Sequence, residues 1–158
     1  MTMFKLGEVK MPTDEDFEFV KKMCQDNDGW TLNYSKSNLK VWLKKNDLSL
    51  FNVLKAKAEF DDVTARQLYE CLQDGEYRYE WDDKMIEGTE ICYLSPFSDI
   101  GYFCMKSPKP FKNRDFVTQR CWLDYGEAKE KVIYNHSVNH AVRIFNNEII
   151  KEKYKKII

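Results

Sequence analysis

The first regular segment of the chain places its apolar residues at a helical period. Phe17, Val20 and Cys24 recur three or four residues apart, as on one face of an amphipathic helix. Thr13 precedes them and is followed by three acidic residues, which suits a helix cap and the positive end of the helix dipole. The turn sequence at 27–29 ends the pattern. The sequence therefore predicts a helix of about 13 residues after Thr13.

Beyond Gly29 the apolar residues change to a period of two. Alternate positions are apolar in 39–43 and again in 54–60, with lysines between many of them. Together with 30–34, these segments predict three strands, and Ser-Lys-Ser-Asn at 35–38 is a suitable hairpin turn between the first two. Such alternation is typical of an antiparallel sheet that has one face covered and the other in water.

A second helix and four further strands complete the pattern. Apolar residues at helical spacing in 63–73 predict a short amphipathic helix, opened by Asp61-Asp62 and closed by Gly75. The less regular segment 76–88 predicts one or two helical turns. Strands are predicted at 89–94, 100–106, 114–123 and 132–138. This order of elements predicts an α+β fold built on a mostly antiparallel sheet.

The length of 158 residues fits one domain. We divide it into an N-terminal segment with the first helix (1–28), the body of the domain (29–140) and a basic tail (141–158). The tail carries five basic and two acidic residues, and its apolar positions predict a weakly amphipathic helix at about 144–156.

Charge and cysteine usage restrict the class of protein. The net charge is −1, so the overall field does not attract nucleic acid, and we expect no nucleic-acid partner. The five cysteines contain no C-x-x-C pair, which favours reduced thiols in the cytosol. No secretory leader and no apolar run long enough to span a bilayer is apparent in the sequence. We therefore expect a cytoplasmic protein.

The sequence offers little for catalysis or metal binding. His136 and His140 would share one face of a continuous strand, but no Cys or carboxylate lies near them in sequence to complete a metal site. There is no G-x-S-x-G motif, and the six glycines are scattered singly rather than grouped in a phosphate-binding loop. We predict no metal, no cofactor and no enzymatic activity.

Aromatic residues make up 15% of the chain, and several of them lie near an arginine in the predicted strands and turns. Such a set can hold a phosphate on the arginine and a cationic or apolar group against the aromatic rings. The alternative is that the rings are ordinary core and the arginine forms a surface ion pair. The residues in question are Arg78, Trp81, Tyr102, Phe103 and Phe116.

The stretch SPKPFKNRDFV, residues 107–117, interrupts two predicted strands. Pro108 and Pro110 donate no backbone hydrogen bond and end the first strand, whereas Asn113 and Asp115 can bond local backbone where the next strand begins at Arg114. We predict a structural role for this motif, which is to set the register that directs residues 103 and 116 toward a cavity.

These motifs resemble a known family. EYRYEWD at 76–82, followed by GYFCMKSPKPFKNRDFV at 101–117 and a further aromatic strand, is similar in order and spacing to the StAR-related lipid transfer (START) domain, and most similar to its phosphatidylcholine branch. The resemblance runs from about residue 29 to residue 140. It implies a helix-grip fold, in which a curved antiparallel sheet wraps around a long C-terminal helix and a lipid lies between them.

The resemblance also implies roles for individual residues. It places Arg78 on the phosphate of a glycerophospholipid, either phosphatidylcholine or phosphatidylethanolamine. It places Phe103 and Phe116 at choline-cage positions where the branch has Trp and Tyr, and a phenylalanine ring is a weaker partner for a cation than Trp. A transient membrane surface is an implied partner.

The resemblance ends at about residue 140, where family members continue through two more strands and the gripping helix. In place of that continuation the chain has the tail, so we expect the grip helix to be missing or replaced by the short tail helix. Two hypotheses follow. The chain is an intracellular lipid carrier, or it is a truncated isoform that acts as a protein-interaction module, its open sheet covered by a second copy or by a partner.

Overall fold

The structure is a computed structural model that describes residues 7–47, 49–127 and 129–139. The predicted tail helix and the segment 141–158 lie outside the described residues. The helices and strands are α1 (Asp14–Gln25), β1 (Thr31–Ser35), β2 (Leu39–Lys44), β3 (Val53–Ala58), α2 (Ala65–Gln73), α3 (Arg78–Trp81), β4 (Met85–Ser95), β5 (Ser98–Met105), β6 (Arg114–Asp124) and β7 (Lys131–Ser137). The predicted α+β class is confirmed.

The first helix is fixed at its N-terminus by a capping box. The Thr13 hydroxyl accepts the Asp16 amide at 3.4 Å, and the Thr13 amide donates to the Asp16 carboxylate at 2.9 Å. Asp16 is fully buried and forms a 2.8 Å ion pair with Lys10. Although burial would raise the pKa of Asp16, its hydrogen bonds from Lys10 and Thr13 outweigh that effect and lower the pKa. The prediction of a helix after Thr13 is confirmed.

The strands β1, β2 and β3 form an antiparallel sheet in that order. Its alternation is as predicted, because Leu43 pairs with Leu54 and Val41 with Ala56 on one face. The expectation that this face is covered is not met within the described residues, where the Leu54 side chain is 63% exposed and Tyr34 42%. Alternation identifies an apolar face, but it does not show which element packs on it.

The start of α2 corrects one detail of the sequence prediction. The acidic pair at 61–62 precedes the helix and does not cap it. The cap is Thr64, whose hydroxyl accepts the Gln67 amide at 3.2 Å while the Gln67 side chain accepts the Thr64 amide at 3.0 Å. A four-residue helix, α3, follows and begins at Arg78.

The strands β4 to β7 form a second antiparallel sheet in sequence order. β4 begins at Met85, earlier than predicted, and irregularities interrupt its pairing with β5 at three points. One face of this sheet carries the core, which consists of two clusters of buried residues. The clusters contain Phe17, Cys121, Val132 and Tyr134 in one, and Ile100, Val117 and Val138 in the other. Phe17 of α1 meets the Tyr134 ring edge to face at 5.3 Å, so α1 packs on this face.

A buried polar network attaches the segment before α1 to the same face. The Gln119 side chain donates to the Lys10 carbonyl at 2.6 Å and to the Ser98 hydroxyl at 2.9 Å, and it accepts the Lys10 amide at 3.2 Å. Gln119 and Ser98 are fully buried, so these bonds satisfy groups that would otherwise be costly to bury. The opposite face of the sheet is therefore left for a ligand cavity.

Candidate functional site

A cavity of about 880 Å³ lies between the second face of the four-stranded sheet and the helical segment α2–α3. This volume is in the usual range of ligand-binding sites. The helical side contributes Leu72 and Gln73 from α2 and Arg78 and Trp81 from α3, and all four strands of the sheet contribute to the other side. Trp81 is 46% exposed, so the cavity is open to solvent at this point.

Arg78 is held at the cavity wall by the turn of α3. Its Nε and Nη2 atoms donate to one oxygen of Asp82 at 3.0 and 2.9 Å, an i, i+4 pair in which the side chains are 29% and 12% exposed. The guanidinium carbon lies 5.0 Å from the centre of the Phe103 ring and 5.9 Å from that of Trp81. Among the described residues, no protein acceptor forms a hydrogen bond with Nη1 of Arg78 within normal distance. The charge is thus oriented, with donors left over for an anion.

The Phe103 ring contacts both another aromatic ring and a guanidinium group. It stands directly opposite Phe116 in the pairing of β5 with β6, and the two rings stack at 5.0 Å with 22° between their planes. The Arg78 guanidinium carbon also lies 5.0 Å from the centre of the Phe103 ring. Phe116 does not line the cavity and acts as a support for Phe103.

Tyr102 is also among the residues that line the cavity, but its side chain packs elsewhere. Neighbours along a strand point to opposite faces, so Tyr102 and Phe103 diverge. The Tyr102 side chain packs against the buried cluster that contains Ile100 and Val117, on the face that carries the core. The structure thus brings together Arg78, Trp81 and Phe103, and it does not place the Tyr102 ring with them.

A second ion pair in the cavity wall was not foreseen from the sequence. Arg120 on β6 stands opposite Asp99 on β5, and its Nε and Nη2 atoms donate to the two carboxylate oxygens at 3.3 and 2.5 Å. Its Nη1 atom donates to the carbonyl of Gln73, the last residue of α2, at 2.9 Å. The same guanidinium lies 5.1 Å from the Trp122 ring centre. The sequence did indicate the position of Arg120. It lies four residues after Phe116 on the same strand, and residues an even number apart on a strand share one face of the sheet.

A glycine in the cavity wall, Gly101, leaves space that a side chain would otherwise fill. Gly101 lies between Asp99 and Phe103 on the same face of β5 and pairs with Thr118. A Cβ atom added at Gly101 would meet only the Thr89 carbonyl oxygen, at 3.6 Å, which is ordinary contact. A larger side chain at this position would therefore extend into the cavity.

The motif at 107–115 spans the connection from β5 to β6, residues 107–113, and the first two residues of β6. The Phe111 amide donates to the Pro108 carbonyl at 2.9 Å, the Ser107 amide donates to the Asn113 side chain at 3.3 Å, and the Lys109–Pro110 peptide is cis. Pairing resumes at once, because Arg114 stands opposite Met105 and Asp115 opposite Cys104. Residue 116 is thereby placed opposite residue 103.

The described residues, 7–47, 49–127 and 129–139, contain neither a metal-ligand cluster nor a helix suited to crossing a membrane. No three His, Cys, Asp or Glu side chains in them are grouped as metal ligands. No helix in them has the length and apolar character needed to cross a bilayer. The His136 ring lies 3.2 Å from the Glu8 carbonyl oxygen through Nε2, and His140 is outside the described residues.

The cavity between an antiparallel sheet and a helical wall agrees with the comparisons with known proteins. A family model described as the START domain matches residues 12–151. The chain belongs to the START domain family, as the motifs at 76–82 and 101–117 predicted.

Several proteins with START domains are similar to this chain. START domain-containing protein 10 of Mus musculus is 39% identical over 133 residues, which cover 84% of this chain and 45% of the mouse protein. The crystal structure of human STARD10 matches with a TM-score of 0.78 at 38% identity, covering 85% of this chain and 54% of that one. Human StAR-related lipid transfer protein 5, at 17% identity, shares the fold with a TM-score of 0.71 over 80% of this chain and 61% of that one. The helix-grip class is therefore confirmed, and the chain spans less than half the length of the mouse protein.

Proposed function

We propose that the chain is a non-enzymatic lipid carrier that binds one glycerophospholipid in the cavity beside Arg78. The observation that carries this proposal is the oriented guanidinium. Arg78 is fixed by Asp82, lines the cavity and stands among aromatic rings. A charge-assisted bond to a phosphate oxygen is stronger than one between neutral groups. Membership of a family whose relatives are named for lipid transfer supports the same reading.

The head group is recognised mainly through its phosphate. Phe103 already contacts the Phe116 ring and the Arg78 guanidinium, which leaves less of its ring surface for a choline cation. Trp81 remains as an aromatic surface, and it is half exposed. We therefore expect little discrimination between phosphatidylcholine and phosphatidylethanolamine, whose phosphates are alike.

Acyl chains must gain apolar contacts in the protein before a lipid leaves a membrane. A phospholipid with about 30 buried methylenes needs on the order of 20 kcal/mol of such contacts, at about 0.8 kcal/mol each. The described cavity contributes apolar side chains such as Leu72, Met85 and Ile133 to this requirement.

The direct test is lipid extraction from the purified full chain, followed by mass spectrometry and by transfer of labelled phosphatidylcholine between vesicles. We expect one phospholipid per chain. Gly101→Leu should fill the cavity and abolish retention, and Arg78→Gln should weaken it about tenfold or more through loss of a charged hydrogen bond. Arg66→Gln is the matched control, because Arg66 forms an exposed ion pair on α2 and does not line the cavity. Wild-type protein that retains no lipid and transfers none would refute the proposal.

Self-association is a second candidate function, and the exposed apolar face of the three-stranded sheet favours it. Leu54 and Tyr34 lie on that face and are 63% and 42% exposed. A face of this kind can pair with a second copy of the chain. Light scattering after size exclusion should then show a dimer that Leu54→Lys dissociates. A monomer at all concentrations would exclude this candidate.

A further inference from the structure

The helical wall of the cavity ends in a short segment, residues 74–82, that is folded largely on itself. The Asp74 carboxylate accepts the Tyr77 amide at 2.8 Å, and the ion pair of Arg78 with Asp82 lies wholly inside the segment. These bonds keep the segment in shape, but they do not attach it to the sheet. None of the residues of α3 is buried, so apolar burial attaches it only weakly as well.

Tyr79 provides the main hydrogen bonds between this segment and the sheet. Its hydroxyl accepts the Gly88 amide at 2.6 Å and donates to the Gly88 carbonyl at 3.4 Å. Within the described residues, the segment has one other hydrogen bond to the sheet, a 4.0 Å contact from Arg78 to the Met105 sulfur. A thioether sulfur is a weak acceptor, so the hydrogen-bonded attachment of α3 depends mainly on one hydroxyl.

Gly88 lies where a hydroxyl can form both bonds. β4 is at the end of the four-stranded sheet, so one of its edges faces no other strand of that sheet. The Tyr79 hydroxyl takes the place of a neighbouring strand at Gly88, because it acts as acceptor and as donor. Both residues line the cavity, and Tyr79 is 47% exposed, so this closing contact lies in the cavity wall at the boundary with solvent.

The two attachments of the helical wall differ in strength. At the end of α2, the charged Arg120 donates to the Gln73 carbonyl at 2.9 Å, whereas the closing contact of Tyr79 with Gly88 joins neutral groups. Charge-assisted hydrogen bonds are the stronger kind, so the wall should open first at α3. Gly75 lies between the two attachments in open space, since a Cβ atom there would meet no other described residue within 4 Å beyond its chain neighbours. Such a position can absorb the backbone change of a hinge.

We propose that Tyr79 is a positioning residue that holds α3 against β4, and that release of its closing contact lets a phospholipid pass between these two elements. This inference rests on the proposed function, because it assigns the route by which the carried lipid enters and leaves. Arg78 belongs to the same segment and moves with it, so the guanidinium accompanies the phosphate during passage.

The substitution Tyr79→Phe tests this route, because it removes the hydroxyl and keeps the ring. In the purified full chain, hydrogen exchange followed by NMR should show the Gly88 amide exchanging about fivefold faster, the factor expected for loss of one net hydrogen bond. Transfer of labelled phosphatidylcholine between vesicles should accelerate by a similar factor, while the amount of lipid retained per chain stays at the wild-type value. A variant that only damaged the fold would lose lipid, so faster transfer at constant retention reports the opening itself.

Tyr77→Phe is the matched control, because Tyr77 is a 51% exposed tyrosine that does not line the cavity. It should exchange and transfer as the wild type does. The inference is overturned if Tyr79→Phe leaves either the Gly88 exchange rate or the transfer rate unchanged, or if Tyr77→Phe raises both equally. A wild type that carries no lipid would refute both the carrier and this route, whereas a lipid-loaded wild type with no effect of Tyr79→Phe would refute only the route.

Discussion

Replacing Arg120 by Met tests whether its ion pair with Asp99 holds the cavity together. Asp99 is 3% exposed, and Arg120 donates to both of its carboxylate oxygens. The same arginine donates to the Gln73 carbonyl at the end of α2. The substitution keeps most of the side-chain volume and removes all of these bonds, so it isolates the electrostatic contribution.

The expected loss of stability follows from the Asp99 carboxylate, which the substitution leaves buried without its partner. Removing one partner of a buried ion pair costs about 3–5 kcal/mol, because the other charge stays buried without compensation. The Arg120 side chain is 25% exposed, which admits water and favours the lower end of that range. We expect Arg120→Met to lower the free energy of unfolding by about 3 kcal/mol. At about 2–4 °C per kcal/mol for a chain of this size, the melting temperature should fall by roughly 10 °C.

Urea unfolding at pH 7, followed by tryptophan fluorescence, measures this loss. Asp99→Asn should cost less than Arg120→Met, and the double variant should recover about 1 kcal/mol or more, because it leaves no unpaired charge. Arg66→Met is the control, since the pair of Arg66 with Glu70 is exposed and exposed ion pairs contribute little to stability. The reasoning fails if Arg120→Met lies within about 1 kcal/mol of wild type or if the two substitutions are additive.

Three other outcomes are expected. Thr64→Ala should lower the free energy of unfolding by about 1 kcal/mol in the same urea assay, because the α2 capping box is lost. Burial raises the pKa of the Cys121 thiol, whereas Cys24 is exposed. A thiol reagent at pH 8 should therefore modify Cys24 quickly and Cys121 only after unfolding. Rapid labelling of both cysteines would contradict the core packing of Cys121. Burial would raise the pKa of Asp16, but hydrogen bonds, chiefly from Lys10, hold this pKa below the ordinary value of 3.8. The ionised Asp16 therefore stabilises the folded state at any pH above 3.8. This stabilisation is lost as the pH falls through the lower pKa that Asp16 has in the folded protein. A series of urea midpoints from pH 6 down to acid pH should show this loss in wild type and a smaller one in Asp16→Asn.

Local patterns predicted most of the elements because their causes are local. The cap at Thr13 and the alternation in 39–43 depend on neighbours a few residues apart, and both are found in the structure. The cap at Thr64 was equally local, but the acidic pair before it was the more conspicuous signal. Capping depends on which side-chain oxygen reaches the free amides, and that requires the three-residue spacing from Thr64 to Gln67.

The site was less predictable because it depends on register between distant strands. Arg120 and Asp99 meet only because β5 and β6 pair with residue 103 opposite residue 116. The pairing register of β5 with β6 cannot be read from the sequence alone, although the length of the connection at 107–113 restricts the possible registers. The packing of the Tyr102 side chain against the core could have been foreseen, since adjacent side chains of one strand point to opposite faces.

The two walls of the cavity are held in different ways. The sheet has a buried core on its far side, whereas neither α2 nor α3 contains a buried residue. The helical wall is attached largely by polar contacts, among them the Gln73 carbonyl with Arg120 and the Gly88 amide with the Tyr79 hydroxyl at 2.6 Å. Elements with few buried apolar contacts open at low free-energy cost. A lipid in the cavity would supply the apolar contacts that this wall lacks, so under the proposed function ligand binding and attachment of the wall would stabilise each other.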